Sequence, residues 1–241
     1  MIPLSVLLTT EQAVIIFNIF YQGVTVVPTN YTAPLLALNP VVAAANVTDY
    51  PGLTLIDGTD MANAVCTQHE AVNMMFPISI GSYNVAAQRA AFDAFNTLTN
   101  DTTFSNSAVL FEGYGTQAVK AVADASTAFP HRADNILMYI ASPCLLFAAS
   151  GAWLRFIFST PVVSYAVDKT LDAKAIAFGE SFRTALHEAS GSSEMHTYIN
   201  YAHGNETLQQ VYGYDNWRQA KLKTLKTKYD PNGSFNFYAP I

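Results

Sequence analysis

Charge is the first thing this sequence lacks. Asp, Glu, Lys and Arg together make up 12% of its 241 residues, against about 25% in an ordinary globular domain. Hydrophobic residues reach 51%. That balance fits an unusually apolar secreted domain, or a chain with one face reserved for a partner. The net charge of −6 and the pI of about 5.2 leave no basic surface for a phosphate backbone, which excludes a nucleic-acid partner. The one basic cluster is Arg218, Lys221, Lys223, Lys226 and Lys228. It reads as the solvated face of one helix or, more sharply, as a groove for a cofactor phosphate.

Cysteine is nearly as scarce. Cys66 and Cys144 have neither CxxC nor Cys/His spacing, so one disulfide and two buried thiols both fit. The histidines, His69, His131, His187, His196 and His203, are scattered. His187 and His196 could approach each other, but the sequence offers them no third ligand, so no metal is expected. There is no GxSxG, HExxH, Walker loop or GxGxxG, which removes the usual signatures of hydrolases, zinc proteases, NTPases and dinucleotide folds. The start, "MIPLSVLLTTEQAVIIFNIF", has no basic leader or small-residue cleavage site, and Glu11 interrupts its apolar run. Ile136–Leu154 carries no charge and just reaches membrane-spanning length. However, Ser142-Pro143 and Ser150-Gly151 cut it into strand-sized pieces, and buried strands are the better reading.

Several features are plentiful. Five N-x-[ST] sequons, at Asn30, Asn46, Asn100, Asn205 and Asn232, favour a secretory history with N-glycans. Helical and strand patterns alternate. Strands are expected at Pro3–Thr9, Leu53–Asp57, Ser107–Tyr114, Ile136–Ala141 and Thr197–Tyr201. Helices are expected at Glu11–Phe20, Val85–Leu98, Thr116–Ala123, Leu171–Glu188 and Asn216–Lys226. Ala86, Ala90, Phe92, Phe95 and Leu98 would line the apolar stripe of the second of these helices. Ile176, Phe178, Phe182 and Leu186 would do so in the fourth. Asp230-Pro231-Asn232-Gly233 stops the last helix. The fold class is α+β, an antiparallel sheet with helices on one face and a C-terminal strand–helix tail. The "SGSS" stretch, Ser190–Ser193, reads as a flexible linker dividing a domain at 1–190 from a segment at 191–241.

Two stretches could carry chemistry. In "STAFPHRADN", Ser126–Asn135, Pro130 stiffens the chain just before His131 and Arg132. Arg132 could hold a ligand, or pair structurally with a carboxylate or carbonyl. In "YINY", read as a strand, Tyr198 and Asn200 share one face and Tyr201 takes the other. A phenol beside an amide can bond a planar polar ligand, and a tyrosine can act as a base. Packed edge-strand tyrosines are the plainer reading.

These residues also carry a resemblance. "YINYAHG" followed by "VYGYDNWRQAKLKTLKTKYDPNGSF" resembles, over about 40 residues, the C-terminal segment of berberine-bridge-type FAD-linked oxidases of the vanillyl-alcohol-oxidase superfamily, in their fungal form. "TAFPHRADNIL" resembles the Pro-His-Arg stretch of the same enzymes. "FYQG" at Phe20–Gly23, the position of Cys66 and "VLFEGYG" at Val109–Gly115 fit more loosely. The resemblance implies a substrate domain whose antiparallel sheet roofs a flavin, with Tyr198, Asn200, Tyr201 and Arg132 facing cofactor or substrate and Tyr198 or Tyr201 as base. It implies hydride transfer from an alcohol or amine carbon of a small molecule to FAD, with O2 as acceptor. The family's N-terminal FAD-binding domain has no counterpart in these 241 residues, so most FAD contacts would lie outside them. The alternatives are an inactive secreted glycoprotein that keeps the sheet as a binding surface, and a membrane-anchored protein.

Overall fold

A computed structural model of the chain describes residues 2–8, 13–56, 71–109, 111, 116–134, 148–149, 152–153, 161–237 and 240–241. Its first sheet is antiparallel. Strand β1 (Ile2–Leu8) lies between β2 (Ile15–Tyr21) and β3 (Val42–Ala45), with Leu4 opposite Ile19 on one side and Ala45 on the other. The short helix α1 (Thr29–Leu36) separates β2 from β3. The strand expected at Pro3–Thr9 is present. The helix expected at Glu11–Phe20 is not, because Ile15–Tyr21 forms β2 instead. The run "IIFNIFY" is β-branched and aromatic, which suits a pleated surface, and β1 supplies a partner for its backbone. The strand expected at Leu53–Asp57 is a helical turn, α2 (Leu53–Ile56).

A second antiparallel sheet has the order β4 (Ala71–Met75), β8 (Pro161–Ala166), β5 (Ala108–Val109). Of the strand expected at Ser107–Tyr114, Ala108–Val109 forms β5, and the described Ser107 and Phe111 lie outside it. Helix α4 (Gln117–Ala121) falls inside the expected Thr116–Ala123. Within Ile136–Leu154, strands β6 (Ala148–Ala149) and β7 (Ala152–Trp153) pair antiparallel. The strand expected at Ile136–Ala141 lies outside the described residues, as do Cys66 and Cys144. No helix among the described residues is long and apolar enough to cross a membrane.

Two long helices pack against the second sheet. Helix α3 (Val85–Asn100) starts where the Asn84 side chain accepts from the Ala87 amide at 3.0 Å. Its core-facing stripe is Ala87, Ala91, Phe92, Phe95 and Leu98; Ala86 and Ala90, expected on that stripe, are exposed. Helix α5 (Asp172–Ser190) buries Ala175, Gly179, Phe182, Arg183 and Leu186. Phe178 is half-buried, and Ile176 turns outward. Phe76, Leu98, Phe104, Val163, Tyr165 and Ala175 close the core between helices and sheet. Gly179 matters there because a Cβ on it would lie 2.0 Å from the Phe76 ring.

Ser190–Ser193, expected as a linker, is the hydrogen-bonded C-cap of α5. Gly191 takes the left-handed conformation (φ 73°), and Ser190 Oγ donates to His187 O at 2.7 Å. Beyond it, Ser79 donates to His196 O at 2.9 Å in a single β-bridge. The strand expected at Thr197–Tyr201 does not continue from there. Ile199–Tyr201 winds into a 3-10 turn, with Tyr201 N donating to Tyr198 O at 3.0 Å. Helices α6 (Leu208–Tyr212) and α7 (Asn216–Tyr229) follow, α6 opened by a Thr207–Gln210 capping box.

Candidate functional site

The stretch Thr127–Asp134 and the turn after His196 fold onto one another. Pro130 fixes the chain direction just before His131, whose ring is buried. His131 Nε2 lies 2.8 Å from the Gln210 carbonyl. A carbonyl only accepts, so Nε2 carries the proton and Nδ1 the lone pair. The His131 ring stacks on His196 with centroids 4.2 Å apart and planes 17° apart. His196 Nδ1 sits 3.0 Å from both Asp134 carboxylate oxygens, and its Nε2 is 3.8 Å from Glu194. Burial, with the neighbouring His196 charge second, pushes His131 down to about 4. The hydrogen bond that His196 donates to the Asp134 carboxylate holds His196 above its ordinary value, against its own partial burial.

From His131 the aromatic contacts run onward. Phe129 meets His131 edge-on at 6.1 Å and Tyr198 edge-on at 6.0 Å; Tyr198 meets Tyr201 edge-on at 5.0 Å. Asn200 Nδ2 donates to the Tyr198 hydroxyl at 2.8 Å. Tyr198, Asn200 and Tyr201 are therefore neighbours in one cluster, not residues on opposite faces of a strand. The 3-10 turn turns Tyr201 back toward Tyr198. Arg132 joins the cluster through Phe129, over whose ring its guanidinium lies at 5.6 Å. It also donates to Val119 O at 3.2 Å and to the Thr127 hydroxyl. Both of these contacts are to the chain itself.

Two buried arginines fasten the segment that carries these tyrosines. Arg218, grouped from sequence with the exposed basic face, is 2% exposed and bonds Asp124 Oδ2 at 2.6 Å. It also reaches the carbonyls of Asp124 and Thr127, each at 3.3 Å. Gly213 (φ 86°) passes so close to Pro130 that a Cβ would come within 2.7 Å of it. Lys221 donates to Ala125 O and Lys226 to Phe235 O, each at 2.9 Å. Three of the five residues of the basic cluster, Arg218, Lys221 and Lys226, are thus already engaged. On the other side, Arg183 bonds Glu206 at 2.8 Å and Glu180 at 2.7 Å, and His203 stacks on Phe76 at 4.6 Å. Sequence reasoning missed Asp134, Arg183 and Glu206 altogether and misplaced Arg218. The spacing His131–Asp134 is visible in the sequence, but nothing local joins it to His196.

Residues 197–241, the same segment, match the family described as berberine and berberine-like. The whole chain is 37% identical over 233 residues to the FAD-linked oxidoreductase chyH of Penicillium rubens, covering 96% of this chain and 42% of that protein. The chain is similar to the C-terminal part of berberine bridge enzyme-like FAD-linked oxidoreductases. Other members of that group agree. The FAD-linked oxidoreductase chry5 of Gibberella zeae is 37% identical over 91% of this chain and 40% of its own length. In fold, the BBE-like 1 protein of Physcomitrella patens superposes with a TM-score of 0.63 at 17% identity, covering 98% of this chain and 46% of that one. The chain therefore spans less than half the length of the relatives it matches, and it aligns with their C-terminal part.

Proposed function

We propose that this chain supplies the substrate-facing part and closing segment of an FAD-dependent oxidoreductase that oxidises an alcohol or amine carbon of a small molecule, with O2 as acceptor. The observation that carries the reading is the family match at 197–241 on the very segment that gathers Tyr198, Asn200 and Tyr201. When bound, FAD supplies the hydride-accepting chemistry; this chain's residues orient and deprotonate. Asn200 donates to Tyr198, which leaves the phenolic proton of Tyr198 to bond a ligand and the Asn200 carbonyl to accept from one. That polar pair, with Tyr198 half-buried beside aromatic rings and Asn200 exposed, suits a planar heterocycle or a hydroxylated substrate. Tyr198 or Tyr201 takes the proton from the substrate hydroxyl or amine. Arg132 acts by holding Phe129, which props Tyr198. We place the remaining FAD contacts in sequence that these 241 residues do not contain, and treat 1–190 and 191–241 as two functional units.

The test joins this chain to the flavin-binding portion of the Penicillium rubens relative and follows flavin colour and O2 uptake on candidate alcohols and amines. Tyr198→Phe or Tyr201→Phe, whichever is the base, lowers kcat by about 100-fold or more while the flavin stays bound. Undiminished turnover in both variants removes the tyrosine assignment, and a colourless fusion removes the FAD reading. A second reading, an inactive secreted glycoprotein with a binding role, draws on the exposure of all five sequon asparagines. A colourless, glycosylated secreted product is its signature.

A further inference from the structure

Outside the tyrosine cluster, His131, Asp134 and His196 form a second constellation, independent of the flavin reading. One ligand-capable atom from each lies within 4.8 Å of the others. We propose that these three residues bind a divalent transition-metal ion of the zinc class, which pins the C-terminal segment to the loop before it.

Four observations support the site. The donor set is two imidazoles and one carboxylate, which suits a borderline cation such as Zn2+ or Co2+ better than Ca2+ or Mg2+. The His131 Nε2–H already donates to the Gln210 carbonyl at 2.8 Å, the outer-shell contact that fixes the ring of a metal-bound histidine and leaves Nδ1 to ligate. The Asp134 oxygen and His196 nitrogen are 3.0 Å apart; two ligands each about 2.1 Å from one ion stand about 3.0–3.4 Å apart. An ion can therefore replace the shared proton there with little movement, and only His131 has to close in. Finally, the side chains of His196 and Asp134 are 23% and 14% exposed, so the pair is reachable from solvent and water can complete the coordination. The field is favourable too. Glu194 adds a second carboxylate 3.8 Å from His196, while the nearby Arg218 charge is countered by Asp124 and Asp215.

The experiment titrates the EDTA-treated, dialysed chain with ZnCl2 and with CoCl2. We expect one ion per chain, cobalt ligand-field absorption, and a thermal midpoint that rises with metal. Asp134→Asn and His196→Gln should each weaken binding by about tenfold or more, and His187→Gln should leave it unchanged. The unaltered protein gives a check that needs no variant, because Co2+ should broaden the imidazole proton signals of His131 and His196 and spare that of His187. Equal broadening of all histidines, a stoichiometry far below one, or unchanged affinity in both site variants overturns the proposal.

Discussion

The body of the chain and its C-terminal segment are held by different physics. In the body, α3 and α5 meet the β4–β8–β5 sheet through Phe76, Phe95, Phe104, Val163 and Phe182, all buried and all apolar. Among the described residues, the segment after Gly191 holds a small apolar cluster of Val211, Tyr212 and Leu222, with Met195 packed on the body's core. It is fastened instead by Arg183–Glu206, Arg218–Asp124 and the His131–His196–Asp134 group. Apolar packing is non-directional and forgiving of small shifts. Buried charge pairs are directional, and removing one partner leaves the other uncompensated. The second kind of contact gives the segment a fixed orientation, and with it the placing of Tyr198, Asn200 and Tyr201.

The sharpest way to break the contrast is at Phe76, an apolar side chain that serves both regions. It packs in the main core and against the Cα of Gly179, and it stacks on His203 of the segment. Phe76→Ala should cost about 3–5 kcal/mol, read as a lower urea midpoint with both regions lost together. If the segment unfolds separately while the body keeps its stability, Phe76 does not couple them.

A milder break tests the polar fastening alone. Glu206 has a side chain 1% exposed and accepts from Arg183, from the His203 amide and from the Gly204 amide, each at 2.8 Å. Glu206→Gln should cost about 3 kcal/mol, because Arg183, itself 5% exposed, loses half of its charge compensation. Replacing both partners, Arg183→Met with Glu206→Leu, should cost less than Glu206→Gln alone. A double variant worse than the single would mean that the pair contributes net stability and not only orientation.

The apolar body was more legible in the sequence than the fastened segment, and for the same reason. Helices α3 and α5 came from periodic Phe, Leu and Ala positions, and periodicity reports apolar burial directly. The α3 stripe was still displaced by one residue at Ala86 and Ala90, because alanine on either side satisfies the pattern. Strand β2 was misread because a short apolar run fits helix and strand alike, and only its pairing with β1 decides. In the segment, Tyr-Ile-Asn-Tyr has strand propensity, yet Thr197 N donates to the Gln210 carbonyl at 2.9 Å. With that bond made to α6, the next residues close a 3-10 turn. The burial of Arg218 and the meeting of His131 with His196 depend on partners 94 and 65 positions away (218 − 124, 196 − 131), and no local pattern encodes them. The family resemblance named the right segment all the same, because it rests on the whole residue string and not on periodicity.

The smallest expected effect separates the two histidines of the junction in metal-free protein. His131 is held down to about 4 by burial first and by the His196 charge second, below an unfolded value of about 6.5. Its folded form resists protonation, so stability is lost as pH falls from about 6.5 toward 4. His196 behaves oppositely. The Asp134 hydrogen bond raises it, so its contribution is full below about 6.5 and fades as pH rises through its folded value. Asp134, Glu194 and Arg218 set these fields, and Tyr214 packs beside His196. Because the two slopes lie on opposite sides of about 6.5, the unaltered protein should be most stable near that pH and lose stability on either side of it. His131→Gln keeps a donor for the Gln210 carbonyl without a titrating group, and should remove the acid-side loss. His196→Gln should leave that loss and abolish the decline at higher pH. Urea midpoints measured at a series of pH values distinguish the outcomes, and identical profiles for both variants would mean that the stacked pair does not sense pH through these two rings.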